Sequence, residues 1–249
     1  MSFHTTALYA LQEAVLSSLQ QMGDPQFQKA KLCGGTALSR CWLEHRVSYD
    51  LDFFFSEPFD AGRLAKALKA AGIVYEIKDL VDDPRKANQL HGNILHKGQR
   101  LKVSFVEDRY FDDYPMEVHS FGALTVQTEG VPGLYHRKLR CVGGSGDGQG
   151  DTVVGGRQKA RDVFDLYVLA HHTPIQKFIT ELPFPFPVDA FHNGLVSMPW
   201  FELMDELQEI DCDPQWTPGK DVGHLQNFLY AQIGAKPTGG GNDGIGEGP

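Results

Sequence analysis

Cysteine is scarce in this sequence, and no stretch of it is long and apolar enough to cross a membrane. The 249 residues include four cysteines, which form neither a CxxC pair nor a zinc-type spacing with histidine. Cys33 and Cys41 are expected to be small buried apolar side chains. No apolar run approaches the roughly 20 residues of a membrane span, and the N-terminus lacks the apolar core of a signal peptide. We therefore expect a cytoplasmic protein in a reducing compartment, with no membrane partner.

A broad excess of basic residues is also missing. Asp and Glu total 32 against 23 Lys and Arg, which gives a formal net charge of -9. Because neutralising phosphates takes Lys and Arg, this balance argues against an extended nucleic-acid-binding surface. It leaves open a local basic pocket, or a nucleotide that arrives with its own metal ions. The 41% hydrophobic and 22% charged residues are typical of a globular protein with one large domain or two small ones.

Helical and strand-like patterns follow one another through the first half of the chain. Residues 27–33 fit either a short strand or a helical turn that leads into a double glycine. Apolar residues recur at helical spacing over 5–22, 36–44 and 61–71, and strand-like patterns cover 47–55, 73–80, 101–106 and 118–126. This order predicts an α/β or α+β fold built on a mixed sheet.

The second half is predicted to be mainly helical. Helices at 132–141 and 157–171 flank a glycine-rich loop, and weaker helical patterns follow at 200–210 and 220–233. The last residues are glycine-rich and poor in apolar side chains, which is typical of a tail. We predict a first domain at 1–130, a mainly helical domain at 131–234 and a flexible tail at 235–249. The active cleft is expected between the two domains.

Two aspartates enter the most apolar strand-like run, SYDLDFFF. Since alternate strand residues share a face, Asp50 and Asp52 would point to one side with Ser48, and the apolar residues between them to the other. Two carboxylates on one face suit a hard cation such as Mg²⁺, whose other ligands are water and substrate phosphates. Metals held there would activate an attacking oxygen and stabilise a leaving one in nucleotidyl transfer.

A double glycine, Gly34-Gly35, comes just before a predicted helix. Glycine lets the backbone approach a phosphate closely, and a helix N-terminus offers free N–H groups. Arg40, His45 and Arg46 follow, as candidates to hold phosphate oxygens. Either motif alone is common by chance and is usually a turn or a solvated edge. Together, 16 residues apart (50 − 34) with a helix between them, they predict a nucleotide and metal site.

The segment GGTALSRCWLEHRVSYDLDFFF, residues 34–55, resembles the signature of the AbiEii/AbiGii toxin nucleotidyltransferases. These belong to the DNA polymerase β-like nucleotidyltransferase superfamily. A second block is similar to a later family motif: Lys138-Leu139 begins a helix, and RDVFDL follows at 161–166. Outside these blocks, only the general pattern agrees.

The resemblance implies a polymerase-β-like fold and a metal-dependent enzyme that moves a nucleoside monophosphate from an NTP to an acceptor hydroxyl. Gly34, Gly35 and Thr36 would bind the triphosphate of the NTP substrate. Asp50 and Asp52 would hold Mg²⁺ or Mn²⁺.

Three further residues acquire roles in the same way. Lys138 matches a lysine thought to contact the nucleotide phosphates, and Asp162 matches a later acid needed for activity. Ser48 lies beside the metal site, where this hydroxyl position is a candidate for regulatory modification in relatives, and Arg46 keeps its expected role of holding phosphate oxygens. From the residues alone, Lys138 could equally be solvated, and Asp162 could pair with charged neighbours on an exposed helix face together with Asp165.

A third catalytic carboxylate is missing from its expected place. Many polymerase β-like enzymes take it from a neighbouring strand, whereas LKVSFVE presents Lys102 and Ser104 on its polar face. Glu107 follows at the strand end. Within the resembled family this acid is often absent from that strand.

The family resemblance alone implies a toxin of a toxin–antitoxin or abortive-infection system. It would act with a cognate antitoxin and use tRNA or another RNA as acceptor. Two alternatives stay open. One is a non-catalytic nucleotide-binding or interaction module, and the other is a nucleotidyltransferase that modifies a small molecule.

Overall fold

The computed structural model describes residues 3–82, 87–108, 114–144 and 159–234. It divides into two compact units, residues 1–137 with 211–213, and residues 138–210 with 214–249. The division falls between Arg137 and Lys138, inside one helix. The tail predicted at 235–249 and most of the glycine-rich loop predicted at 142–157 lie outside the described residues.

The first unit contains a mixed sheet of seven strands in the order β3-β4-β5-β2-β1-β7-β6. β2 runs parallel to β5, and β1 runs parallel to β7, while the other neighbours are antiparallel. The strands are β1 Lys31–Cys33, β2 Leu51–Phe55, β3 Val74–Val81, β4 Gln89–His96, β5 Gln99–Glu107, β6 Met116–Phe121 and β7 Leu124–Glu129. The predicted fold class, a mixed sheet with helices, is therefore confirmed.

Among the described residues, three α-helices and a 3-10 turn, Phe27–Lys29, belong to this unit, and a fourth α-helix begins in it. The α-helices are α1 Phe3–Gln21, α2 Gly34–Ala37, which continues as a π-helical segment Leu38–Leu43, α3 Ala61–Ala70 and α4 Val131–Gly143. Along α1, Val15, Leu16 and Leu19 recur at helical spacing and are fully buried, and the helix contacts β4 and β5. Asp60 caps α3, since its side chain accepts a hydrogen bond from the backbone N–H of Arg63.

Aromatic side chains fill the core beneath the middle of the sheet. Phe53 of β2 stacks on Phe105 of β5 with ring centroids 5.7 Å apart, and Phe27 meets Phe53 edge-on at 5.1 Å. Leu51 and Phe55 are buried on the same face as Phe53. The alternation therefore turns Asp52 toward the opposite face of β2.

Two parts of the sheet differ from the sequence prediction. β4 was not predicted, because Gly92 and two histidines interrupt its apolar alternation. Glycine is required there, since a Cβ at Gly92 would lie 2.3 Å from the carbonyl oxygen of Glu76 on β3. The extended segment predicted at 118–126 is instead a hairpin of β6 and β7, which turns at Gly122 with φ +62°.

β2 also starts later than predicted, at Leu51 rather than at residue 47. The preceding carbonyls are engaged by side chains instead of by a neighbouring strand. Gln12 Nε2 donates to the carbonyl oxygen of Ser48 at 2.8 Å, and Thr36 Oγ1 donates to that of Asp50. These bonds replace a sheet ladder at this point of the chain.

The second unit is mainly helical in its described residues, as predicted. Its elements after α4 are α5 Ala160–His172, α6 Ile175–Thr180, α7 Val188–Val196, α8 Leu203–Gln208, a 3-10 segment Pro214–Lys220 and α9 Val222–Gln232. α5 contacts α8, α9 and the 3-10 segment, and its residues 162–170 are all buried. Among the residues that the structure describes, none of the helices has the length and apolar character needed to cross a membrane.

Candidate functional site

Asp52 lies in the middle of the sheet, between two neighbouring strands. It pairs in register with Cys33 of β1 on one side and with Ser104 of β5 on the other. Paired residues of adjacent strands point to the same face, so Ser104 occupies the place beside Asp52 that a third carboxylate would take. The predicted orientation of Ser104, on the polar face of β5, therefore agrees with the pairing of the strands.

Asp50 lies immediately before β2 and is held by a lysine. Lys102 Nζ donates to Asp50 Oδ2 at 2.9 Å. The Asp50 side chain is 19% exposed, and that of Lys102 is 53% exposed. One oxygen of Asp50 therefore already has a cationic partner, which the sequence did not predict.

The first glycine of the double glycine packs directly against Asp52. Gly34 has φ +69°, in the left-handed region that favours glycine, and a Cβ there would lie 2.9 Å from Asp52 Oδ2. The turn and the carboxylate thus form one compact arrangement at the start of α2.

Arg46 supports the second glycine from inside the unit. Its side chain is buried, and a Cβ at Gly35 would lie 2.5 Å from Arg46 Nη2. Arg46 Nη1 donates to the carbonyl oxygen of Val47 at 3.0 Å. The guanidinium group therefore lies against the backbone of the turn and places positive charge there.

Thr36 and Ser48 join the turn to the segment that carries Asp50. Thr36 Oγ1 lies 2.8 Å from Ser48 Oγ and donates to the carbonyl oxygen of Asp50. Both hydroxyl side chains are almost fully buried. We define these two residues, with Asp50, as the hydroxyl latch. It fixes where Asp50 lies relative to the double glycine.

The two other candidates for phosphate contact are engaged in packing. Arg40 pairs with Glu13 of α1 at 2.7 Å, and its guanidinium group lies over the rings of Tyr9 and Phe121. His45 is fully buried.

No third acid joins the two aspartates within the described residues. Glu107 pairs in register with Phe55 and so points to the face opposite Asp52. Its carboxylate accepts a hydrogen bond from the backbone N–H of Asn88 at 3.0 Å. In the described part of the chain, no group of three or more His, Cys, Asp or Glu side chains is arranged to hold a metal ion.

A buried charged network lies on the same face of the sheet as Asp52. Lys31 pairs in register with Phe54, two residues beyond Asp52, and its ammonium group binds Glu129 of β7. Arg137 of α4 binds both carboxylate oxygens of Glu129 at 2.6 Å and also pairs with Asp108. Sequence reasoning missed this network, although a lysine in the short apolar strand KLC is an available signal for a buried partner.

Cys33 lies between this network and Asp52. Burial raises the pKa of its thiol to about 12. The thiol therefore stays protonated at neutral pH and is not a nucleophile. This agrees with its predicted role as a small apolar side chain.

The late sequence block forms a three-residue charge cluster in the second unit. Lys138 Nζ lies 2.7 Å from Asp162 Oδ1 and 2.7 Å from Asp165 Oδ2. All three side chains are at least 95% buried, since their exposed fractions are 5%, 1% and 0%. The alternative interpretation, in which both aspartates lie on an exposed helix face, is wrong because α5 turns them inward.

Comparison with protein families matches residues 19–183 to the family described as nucleotidyl transferase AbiEii toxin, type IV TA system. The chain belongs to the AbiEii toxin family. This match confirms the resemblance inferred from the two sequence blocks, and it assigns this AbiEii protein to the nucleotidyltransferases.

Two solved structures are similar to this AbiEii protein over nearly its whole length. A crystal structure of a candidate nucleotidyltransferase from H. pylori aligns with a TM-score of 0.52 and 19% identity, over 94% of this chain and 95% of that one. The structure of JHP933 from Helicobacter pylori aligns with a TM-score of 0.49 and 19% identity, over 94% of this chain and 92% of that one. A comparison with curated proteins gives no match.

Proposed function

We propose that this AbiEii protein transfers a nucleoside monophosphate from an NTP to an acceptor hydroxyl, using Asp50 and Asp52 to hold Mg²⁺ or Mn²⁺. The observation that carries the proposal is the contact between the double glycine and the aspartate pair. Gly34 lies against Asp52, and the hydroxyl latch ties Asp50 to the same turn. The turn that would bind phosphates and the two carboxylates that would bind a cation are therefore adjacent in the structure.

The residues fit a divalent cation that arrives with a nucleotide. Mg²⁺ is commonly held by one or two carboxylates, with water and substrate phosphates as its other ligands. Asp52 and the second oxygen of Asp50 supply that set, and both side chains are partly exposed. When bound, the cation would draw charge from the reacting phosphate and stabilise the leaving oxygen.

The reaction itself is an exchange of oxygen substituents at the α-phosphorus. The acceptor hydroxyl oxygen forms a new P–O bond, the bond between the α-phosphorus and the bridging oxygen breaks, and pyrophosphate leaves with that electron pair. The hydroxyl proton is released to water. The protein's task is to place the two oxygens in line and to neutralise charge.

The residues around the turn would hold the triphosphate. Gly34 and Gly35 let the backbone approach phosphate oxygens, and Thr36 keeps the turn in place through the hydroxyl latch. Arg46 would add positive charge beneath Gly35, and Ser48 would orient Thr36 through their 2.8 Å contact. Arg46 and Ser48 thus act on the site by supporting its backbone.

Lys138 and Asp162 complete the set of residues that the family resemblance implies. We assign Lys138 to a phosphate contact and Asp162 to orienting the acceptor. Asp162 and Asp165 support this assignment, because two 2.7 Å bonds fix the position of the Lys138 ammonium group. A lysine oriented in this way loses little side-chain entropy when a phosphate binds.

The type IV toxin–antitoxin family supports a cognate antitoxin as partner. An RNA, such as tRNA, is the acceptor that we propose from the resemblance. A small-molecule acceptor is the alternative, and the net charge of -9 favours it over a long RNA. A second candidate function is nucleotide binding without transfer. It is favoured because no third acid joins Asp50 and Asp52 among the described residues.

The experiment incubates the protein with each α-³²P-labelled NTP, Mg²⁺ and either total RNA or a panel of small molecules. We expect label to move from one NTP to one acceptor class. Asp50→Asn should abolish this transfer. Binding of NTP without any transfer would support the second function, and unchanged transfer by Asp50→Asn would refute the metal assignment.

A further inference from the structure

The Lys102 side chain places a positive charge at the proposed metal site. The register of β2 and β5 pairs Leu51 with Val103 and Asp52 with Ser104, so that Lys102 lies beside Asp50. The side chain reaches Asp50 Oδ2 at 2.9 Å. The strand that supplies an acid in many polymerase β-like enzymes supplies a positive charge here.

The presence of a lysine rather than an acid changes the net charge of the proposed metal site. Two aspartates with one lysine carry a net charge of -1, from two negative charges and one positive charge. A bare divalent cation would have to share Asp50 with the ammonium group or displace it. Both routes oppose metal binding, because like charges a few ångströms apart repel each other.

Lys102 is also able to leave Asp50. Its side chain is 53% exposed, whereas that of Asp50 is 19% exposed. A lysine side chain has a flexible four-carbon stem that can carry its charge to another anion nearby. The triphosphate of an NTP bound at the adjacent double glycine would be such an anion.

We propose that Lys102 is a competing cation that holds Asp50 while the nucleotide is absent and moves to the triphosphate when the NTP arrives with its metal ion. It would thereby weaken the binding of bare metal and strengthen the binding of the metal–nucleotide complex. This inference rests on the proposed function of Asp50 and Asp52. It gives Lys102 a role in the order of loading, with metal and nucleotide entering together.

In the test, the full-length protein is titrated with Mn²⁺, and binding is monitored by electron paramagnetic resonance. The wild type is compared with Lys102→Met, Asp52→Asn and the charge-matched control Lys69→Met, which removes an exposed lysine of α3. Lys102→Met should bind bare Mn²⁺ about two- to five-fold more tightly than the wild type, the size expected for losing one partly exposed charge pair. Lys69→Met should behave as the wild type.

A second titration uses an NTP analogue that cannot be cleaved between the α- and β-phosphates, at saturating Mn²⁺. Lys102→Met should bind this analogue about two- to five-fold more weakly than the wild type. Opposite effects on metal and nucleotide are the signature of a lysine that changes partners. A purely structural lysine would not produce them.

The outcomes separate this inference from the proposed function. If Asp52→Asn loses Mn²⁺ but Lys102→Met binds it no more tightly than the wild type, the role of Lys102 is refuted and the metal site stands. Tighter Mn²⁺ binding with unchanged analogue binding would also refute it, since the ammonium group would not then move to the triphosphate. If none of the proteins binds Mn²⁺ or the analogue, the proposed function falls and this inference with it.

Discussion

Gly34 and Asp52 meet so closely that no side chain fits between them. A Cβ at Gly34 would lie 2.9 Å from Asp52 Oδ2, and the backbone there has φ +69°. Glycine is therefore required twice, once for the left-handed backbone and once for the neighbouring carboxylate. The double glycine positions the acid as well as the expected phosphate.

Gly34→Ala is expected to destabilise the protein by about 2 kcal/mol and to weaken Mn²⁺ binding by displacing Asp52. The measurements are urea unfolding and a Mn²⁺ titration. Gly72→Ala is the matched control, because Gly72 has φ +74° and a Cβ added there would meet no atom within 4 Å. It should show the backbone penalty alone, and equal Mn²⁺ affinity in the two variants would contradict the proposed contact.

Thr36→Val tests the hydroxyl latch. The substitution keeps the side-chain shape but removes the hydroxyl that pairs with Ser48 and donates to the Asp50 carbonyl oxygen. We expect a loss of about 1–3 kcal/mol in unfolding free energy, because buried polar partners lose their hydrogen bonds. Thr180→Val, which removes an exposed helical hydroxyl, should cost much less. A comparable loss in both variants would argue against the latch.

The orientation of the side chains on β2 could be predicted from the sequence, because alternation along a strand has a simple physical consequence. Phe53 and Asp52 do point to opposite faces of β2, whereas the left-handed backbone of Gly34 was not predicted. The strand boundary was less predictable. Whether Asp50 joins the sheet depends on Thr36 and on the distant Gln12, whose side chains take the carbonyls that a ladder would need.

Ion pairs between residues that are far apart in the chain could not be predicted from the sequence. Lys102 and Asp50 are 52 positions apart, and Lys31 and Glu129 are 98 apart. Only the register of the sheet brings each pair together. Lys138 and Asp162 were identified through the family resemblance, but their mutual ion pair and their burial follow from the helical packing of the second unit.

Glu129→Gln is expected to destabilise the protein by about 3 kcal/mol at neutral pH, because it leaves the buried charges of Lys31 and Arg137 poorly compensated. Burial alone would raise the pKa of Glu129, but the hydrogen bonds and charges of Arg137 and Lys31 outweigh it and lower that pKa below its ordinary value of 4.5. A carboxyl group whose pKa is lower in the folded chain stabilises the fold above its unfolded pKa.

The stabilisation by Glu129 is therefore expected to persist at neutral pH and to fade as the pH falls below about 4.5 toward the folded pKa. Urea unfolding of the wild type and Glu129→Gln over a pH series measures this. The difference in unfolding free energy between the two proteins should narrow in acid. A difference that stays constant with pH would show that Glu129 is not ionised in the folded protein.

Lys138→Met is expected to cost about 3–5 kcal/mol of stability, because Asp162 and Asp165 would be left buried without their cation. Adding Asp165→Asn should restore part of that loss, since it removes one of the two uncompensated charges. Urea unfolding of the single and double variants gives the coupling between the two residues. Purely additive losses would contradict a direct ion pair.

The most direct test of the account compares NTP labelled at the α-phosphate with NTP labelled at the γ-phosphate, for the wild type and Asp52→Asn. Asp79→Asn, which alters an exposed carboxylate of β3, is the control. We predict that the wild type and Asp79→Asn transfer the α-label to the acceptor and release the γ-label as pyrophosphate, while Asp52→Asn does neither. Transfer of the γ-label, or undiminished α-label transfer by Asp52→Asn, would contradict nucleotidyl transfer at this aspartate pair.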